Sequence, residues 1–203
     1  MKPLFIVLNL KRKLLCIFFS YMEIFAVKST LVHRFYTKWI GQIFCDEYTL
    51  ANVTSDDAVL HIGCGSLPTM SILAAQNAGA KMIAIDNDLR TVHRAQRYIC
   101  QQKLSDFITV KYGDGRNYQA EMFDVIFIAL NVTPIDTVFR HLATTSKPSV
   151  RIVCRDFGNG VFRMLKTDDF SNIFMMRSIL KHSMNNSLLI IKLNHLFNSK
   201  ISE

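Results

Sequence analysis

The stretch AVLHIGCGSLPTMSILAAQNAGA, residues 58–80, decides how this chain is read. AVLHIG (58–63) is short, apolar and rich in branched residues, which marks a buried strand. Gly63-Cys64-Gly65 follows, and then a segment from Pro68 to Ala78 that places Met70, Leu73 and Ala74 inward at helical spacing and is stopped by Gly79. A strand that runs through Gly-x-Gly into a helix gathers backbone N–H groups and the positive helix end at one point. The glycines are needed because a side chain would block close approach of a ligand.

The same unit repeats outward from this stretch. KMIAID (81–86) is a strand, and a helix from Asp88 to about Gln102 shows Leu89, Val92, Ala95 and Ile99 on one face. Strand FITVKY (107–112) follows, then strand FDVIFIAL (123–130) and a helix opened by Thr133-Pro134 with Ile135, Val138, Phe139 and Leu142 as its stripe. SVRIVCRD (149–156) has the near-continuous apolar character of a central parallel strand. Finally FMMRSILKH (174–182) and SLLIIKLN (187–194) flank the turn-forming Ser183-Met184-Asn185-Asn186 and read as a hairpin. The expected fold is α/β and Rossmann-like: a seven-stranded, mostly parallel sheet closed by an antiparallel C-terminal hairpin, the layout of class I methyltransferases.

Ahead of the polar hinge Thr54-Ser55-Asp56-Asp57 the pattern is helical. Between Lys28 and Leu50, Val32, Phe35, Trp39 and Ile43 recur at helical spacing, with Tyr36 and Ile40 less regular, and this stripe is expected to pack on the sheet domain. The run LLCIFFSYMEIFAV (14–27) is too short to span a membrane and is broken by Glu23, so a buried or surface-lying helix is expected and integral insertion is not. The chain therefore divides into a helical segment (1–54), a Rossmann-like domain (55–195) and a tail (196–203). The apolar N-terminal run also makes a second copy of the chain a candidate partner.

A formal charge of +8 raises the prospect of an anionic partner, but the basic residues are scattered apart from Lys11-Arg12-Lys13, so nucleic acid is the second choice of partner. The odd set Cys16, Cys45, Cys64, Cys100 and Cys154 contains no C-x-x-C pair, and the histidines form no H-x-x-x-H pair. No metal site is expected, and a reducing, cytoplasmic setting is.

Three strand ends carry the chemistry. Beside the glycine loop, Asp86 ends the second strand, where a carboxylate can accept both hydroxyls of a ribose; Asp114, after the third, stands where an acid commonly meets adenine. The candidate contacts are Gly63, Cys64, Gly65, Ser66, Asp86, Asn87, Gly113, Asp114 and Asn131. The alternative is that the glycines make only a tight turn and the aspartates cap helices. A nicotinamide fingerprint wants a third glycine where this chain has Pro68, which favours S-adenosyl-L-methionine over a dinucleotide. Cys64 has no local base and His61 lies on a buried strand, so neither is assigned a catalytic role. Ala129-Leu130-Asn131-Val132-Thr133-Pro134 replaces the Asn-Pro-Pro-Tyr-like segment of enzymes that methylate adenine amines.

GCGSLPTMSILAA (63–75), with its Leu67-Pro68 and Ser71-Ile72, resembles the loop of nicotianamine synthases, the archaeal members above all. The similarity continues through FDVIFIALNVTPIDTVFRHL (123–142), VRIVCRDFGNGVFRMLKTDDF (150–170) and Asn186 to Ile190, and spans about residues 35–193. The resemblance implies transfer of the 3-amino-3-carboxypropyl group of S-adenosyl-L-methionine to an amine or amino-acid acceptor, as in metallophore biosynthesis. Family members carry a larger helical domain that supplies a catalytic glutamate; here only Glu23 and Glu47 precede Gly63, and neither falls in a matching motif. The catalytic base stays unassigned. Methyl transfer to a small molecule or RNA, or a non-catalytic cofactor-binding remnant, are the alternatives.

Overall fold

The computed structural model describes residues 2–183 and 185–194, so the expected tail (196–203) and Met184 of the hairpin turn lie outside the described residues. Helices α1 (Lys2–Lys28) and α2 (Thr30–Ala51) form a hairpin, followed by β1 (Ala58–Ile62), α3 (Thr69–Ala78), β2 (Lys81–Asp86), α4 (Leu89–Gln101) and β3 (Ile108–Tyr112). After these come β4 (Val125–Ile128), α5 (Ile135–Thr145), β5 (Arg151–Asp156), the short α6 (Gly160–Met164) and α7 (Asp168–Ser171), β6 (Phe174–Lys181) and β7 (Asn186–Lys192). The strands build one seven-stranded sheet in the order β3-β2-β1-β4-β5-β7-β6. β1 to β5 pair in parallel, and β7 runs antiparallel to both β5 and β6. This is the expected fold class.

Alternation along the strands feeds two cores. Val59, Met82, Ala84, Val125, Phe127 and Val153 face helices α1–α4. Leu60, Ile62, Ile85, Ile126, Ile128 and Ile152 face α5–α7 across the sheet. The strand order reverses between β1 and β4, and at such a switch the loops leaving the strands part and open a crevice. Asp88 begins α4 as its N-cap, accepting from Arg90 N at 3.0 Å and Thr91 Oγ1 at 2.9 Å. Asp88→Ala should cost about 1 kcal/mol of stability, read as a lowered denaturation midpoint. A variant as stable as the native chain would show that the cap contributes nothing.

Several expectations need correction. On α4, Leu89 is exposed and Tyr98 takes the inward place beside Val92, Ala95 and Ile99, because Leu89 stands at the first helical residue and points away from the sheet. Leu73 of α3 and Ile135 of α5 are half-buried, while Ala75 joins Met70 and Ala74 inside. Phe107 is exposed just ahead of β3 and only its carbonyl joins the sheet, accepting from Met82 N at 2.8 Å. β4 is limited to the residues that pair with Val59–Ile62. Pro134 is the N-cap of α5, outside its first turn.

The largest correction is the rotation of α2. Its buried face is Tyr36, Ile40, Phe44, Glu47 and Ala51, while Phe35 and Trp39 of the expected stripe are exposed. Apolar residues occur around much of this helix, so periodicity alone offers two stripes. Long-range polar bonds select one of them. Arg155 donates to both Glu47 oxygens at 2.8 Å, Ser187 Oγ donates to Glu47 Oε1 at 2.6 Å, and Arg151 donates to the α2 C-terminal carbonyls of Ala51 at 2.8 Å and Asn52 at 2.7 Å. No described helix is long and apolar enough to cross a membrane.

Candidate functional site

The glycine loop leaves β1 with Gly63 N and Cys64 N both donating to Ile85 O, at 2.9 and 3.0 Å. Gly63 and Gly65 have φ of +77° and +72°, a left-handed region where a β-carbon is strained. Space forbids a side chain as well. A β-carbon at Gly63 would lie 2.7 Å from Val132 Cγ2, and one at Gly65 would strike the Glu23 carboxylate.

Two hollows meet at this loop. The first, about 200 Å³, is lined by Gly63, Asp86, Asn87, Gly113, Asp114 and Asn131 together with Ile62 and Val138. Six of the expected contacts thus converge there. Asp86 Oδ2 accepts from Gly65 N and Oδ1 from Asp88 N, each at 3.1 Å, so its carboxylate bridges the loop and the start of α4 and does not cap a helix. Burial raises its pKa, opposed by the N–H groups of Asp88 and Gly65. Asp114 is held by Arg116, whose Nε lies 3.0 Å from both carboxylate oxygens, and this bonding lowers its pKa.

The second hollow, about 80 Å³, lies on the other side of the loop and is covered by the α1–α2 hairpin. Cys64 and Gly65 line this one, and Gly63 and Asn131 border both. Ser66 is buried, and its N–H donates to Glu23 Oε2 at 3.0 Å. The walls include Glu23, Tyr36, Phe44, His61 and Arg155. His61 shares a hydrogen bond with Ser71 Oγ at 3.0 Å, and burial together with the nearby Arg155 charge lowers its pKa to about 3, so it is a neutral wall residue. Cys64 is a buried thiol whose pKa is pushed up by desolvation and by the Asp86 and Glu23 charges, which disfavours the thiolate.

Glu23 is the residue that sequence reasoning left unassigned. It projects inward from α1, accepts from Ser66 N and from Tyr36 Oη at 3.3 Å, and burial pushes its pKa up to about 8 despite these two bonds. A carboxylate in the middle of an apolar helix was the available signal, since such a group persists only where something binds it. The segment 150–170 braces this wall. Arg155 lies 4.2 Å above the Phe44 ring and anchors Glu47, while Asp156 accepts from Val161 N and Phe162 N at 3.0 and 3.1 Å and caps α6. A third hollow, about 370 Å³, adjoins at Ala129 and Leu130 and carries Arg12, Arg155 and Arg163.

The family described as Ribosomal protein L11 methyltransferase (PrmA) matches residues 43–180. No curated protein matches the chain. Among solved structures, a Glu-to-Gln mutant of MtNAS in complex with S-adenosylmethionine is 19% identical, with TM-score 0.75, covering 92% of this chain and 78% of that one. MtNAS in complex with MTA and tNA is 20% identical, TM-score 0.72, covering 92% and 76%. An RNA methyltransferase from Salinibacter ruber in complex with S-adenosyl-L-homocysteine is 17% identical, TM-score 0.63, covering 80% and 97%. At these identities the likeness is one of fold.

Proposed function

The chain belongs to the family described as Ribosomal protein L11 methyltransferase (PrmA); we propose that it is an S-adenosyl-L-methionine-dependent transferase whose own site turns the donor toward moving the 3-amino-3-carboxypropyl group to a small amine or amino-acid acceptor. The observation that carries this reading is Glu23, a carboxyl with a pKa near that of a working base, placed beside the glycine loop in a covered pocket. The likeness to MtNAS, a nicotianamine synthase fold that takes in more of this chain than the RNA methyltransferase does, supports it.

The first hollow suits the adenosine half of the donor, with Asp86 toward the ribose hydroxyls, Asn87, Gly113 and Asp114 along its far wall, and Gly63 leaving room for close approach. Asn131, Cys64 and Gly65 line the second hollow, where the amino-acid half would extend, and Ser66 N holds the Glu23 carboxylate at its wall. The bound sulfonium supplies carbons activated for displacement. An acceptor amine that forms the new C–N bond sends the electron pair of the broken C–S bond to sulfur and must give up a proton, which the Glu23 carboxylate is placed to take. Arg12 and Arg163 in the adjoining hollow suit a carboxylate on the acceptor.

Methyl transfer is the second reading, favoured by the family match itself. Incubation with the donor and amino-acid acceptors separates the two: methylthioadenosine is the expected product, and S-adenosylhomocysteine in its place would overturn the aminocarboxypropyl assignment. Binding without turnover on any acceptor would indicate a non-catalytic remnant. Asp86→Asn should weaken calorimetric donor binding roughly tenfold or more, since one charge-assisted pair is worth about 1.5–3 kcal/mol. Unchanged affinity would remove Asp86 from the donor site.

A further inference from the structure

The α1–α2 hairpin buries one face against the domain and leaves the opposite face apolar and open. On α1, Leu10, Leu14, Ile17, Phe18 and Phe25 are exposed, on the side away from Glu23 and the buried Ala26. On α2, Leu31, Phe35 and Trp39 are exposed one turn apart. Phe18 and Trp39 meet edge to face with ring centroids 6.3 Å apart, and this contact joins the two stripes into one surface. A folded chain rarely leaves a contiguous apolar patch of this extent without a partner.

Charge identifies the partner. At 100° per residue, Lys11 and Lys13 fall on either side of the α1 stripe, and Arg34 and Lys38 border the α2 stripe; all four are exposed. None of them is in an ion pair among the described residues. From residue 7 to residue 45 the sequence has a single carboxylate, Glu23, and it is turned inward onto Ser66. Apolar residues flanked by cations, with an aromatic pair in the middle and the first outward acid, Asp46, two turns beyond Trp39 and bonded by Gln42, match anionic phospholipid headgroups over acyl chains. A symmetric dimer would instead bring the four cations of each copy together against one outward carboxylate, Asp46.

We propose that this face docks the protein on an anionic phospholipid surface, with the hairpin lying in the plane of the headgroups. The test uses Trp39, the single tryptophan of the chain, as its reporter. Vesicles of phosphatidylcholine mixed with phosphatidylglycerol should shift its emission to the blue and carry the full chain into the pellet, whereas pure phosphatidylcholine should do neither. Raising the salt should weaken the association. Leu14→Glu with Phe18→Glu should abolish it, and Lys11→Glu with Lys13→Glu should lower it on the order of tenfold or more. Both pairs are exposed, so an unchanged thermal melt verifies that these variants fold. The proposal is overturned if the native chain stays in the supernatant, if neutral vesicles bind it equally well, or if it sediments as a dimer that Leu14→Glu dissociates with no vesicle binding. Donor titration is independent of all these outcomes.

Discussion

Glu23→Gln is expected to lower turnover by roughly 10²–10⁴-fold, the range lost with a positioned general base, while leaving donor binding little changed. The amide oxygen can still accept from Ser66 N and the amide NH2 can donate to Tyr36 Oη, so the pocket stays formed and the proton acceptor is lost. In the native protein the acid limb of the rate profile should rise through about pH 8, where the carboxyl ionises. Stability runs the other way. Because the folded pKa lies above the ordinary value, the contribution of the protonated group is complete below about pH 4.5 and is lost as pH rises through about 8. The Gln variant should therefore unfold less readily than the native chain above that pH. Equal losses of binding and turnover would make Glu23 a structural residue, and a rate profile identical in the two proteins would remove it from proton transfer.

Arg155→Met should cost about 3–5 kcal/mol of stability, the typical penalty for removing one partner of a buried ion pair. Glu47 is 2% exposed and would keep only the Ser187 hydroxyl against its charge. Desolvation works against the guanidinium, but the Glu47 charge and hydrogen bonds outweigh it and the Arg155 pKa is raised. Combining Glu47→Leu with Arg155→Met should recover most of the loss, since no unpaired charge remains. Denaturant midpoints of the two single variants and the double variant measure this. If the double variant is no more stable than Arg155→Met alone, the pair is not the tie between α2 and the sheet.

These two residues also show where the chain was legible. β2 has the bounds read from KMIAID, Asp88 and Gly79 stand at helix ends as their chemistry indicates, and the C-terminal hairpin is where its turn residues place it. Gly63, Asp86, Asn87, Gly113, Asp114 and Asn131 converge on one hollow because each follows a strand whose direction the parallel sheet sets. Such features depend on residues a few positions apart, or on the rule that parallel strands bring their C-terminal ends together.

The rest is decided by contacts between distant parts of the chain. Which stripe of α2 turns inward depends on Glu47 meeting Arg155 and Ser187, more than 100 positions away. Glu23 acquires its raised pKa from desolvation under the hairpin and from the Asp86 charge, against the bonds from Ser66 N and Tyr36 Oη. Strand positions along the chain, turn chemistry and the glycine loop are local properties that the sequence by itself determined. The covered pocket, its base and the outward apolar face arise only in the folded molecule, because burial and charge pairing belong to the packed state and have no counterpart in spacing along the chain.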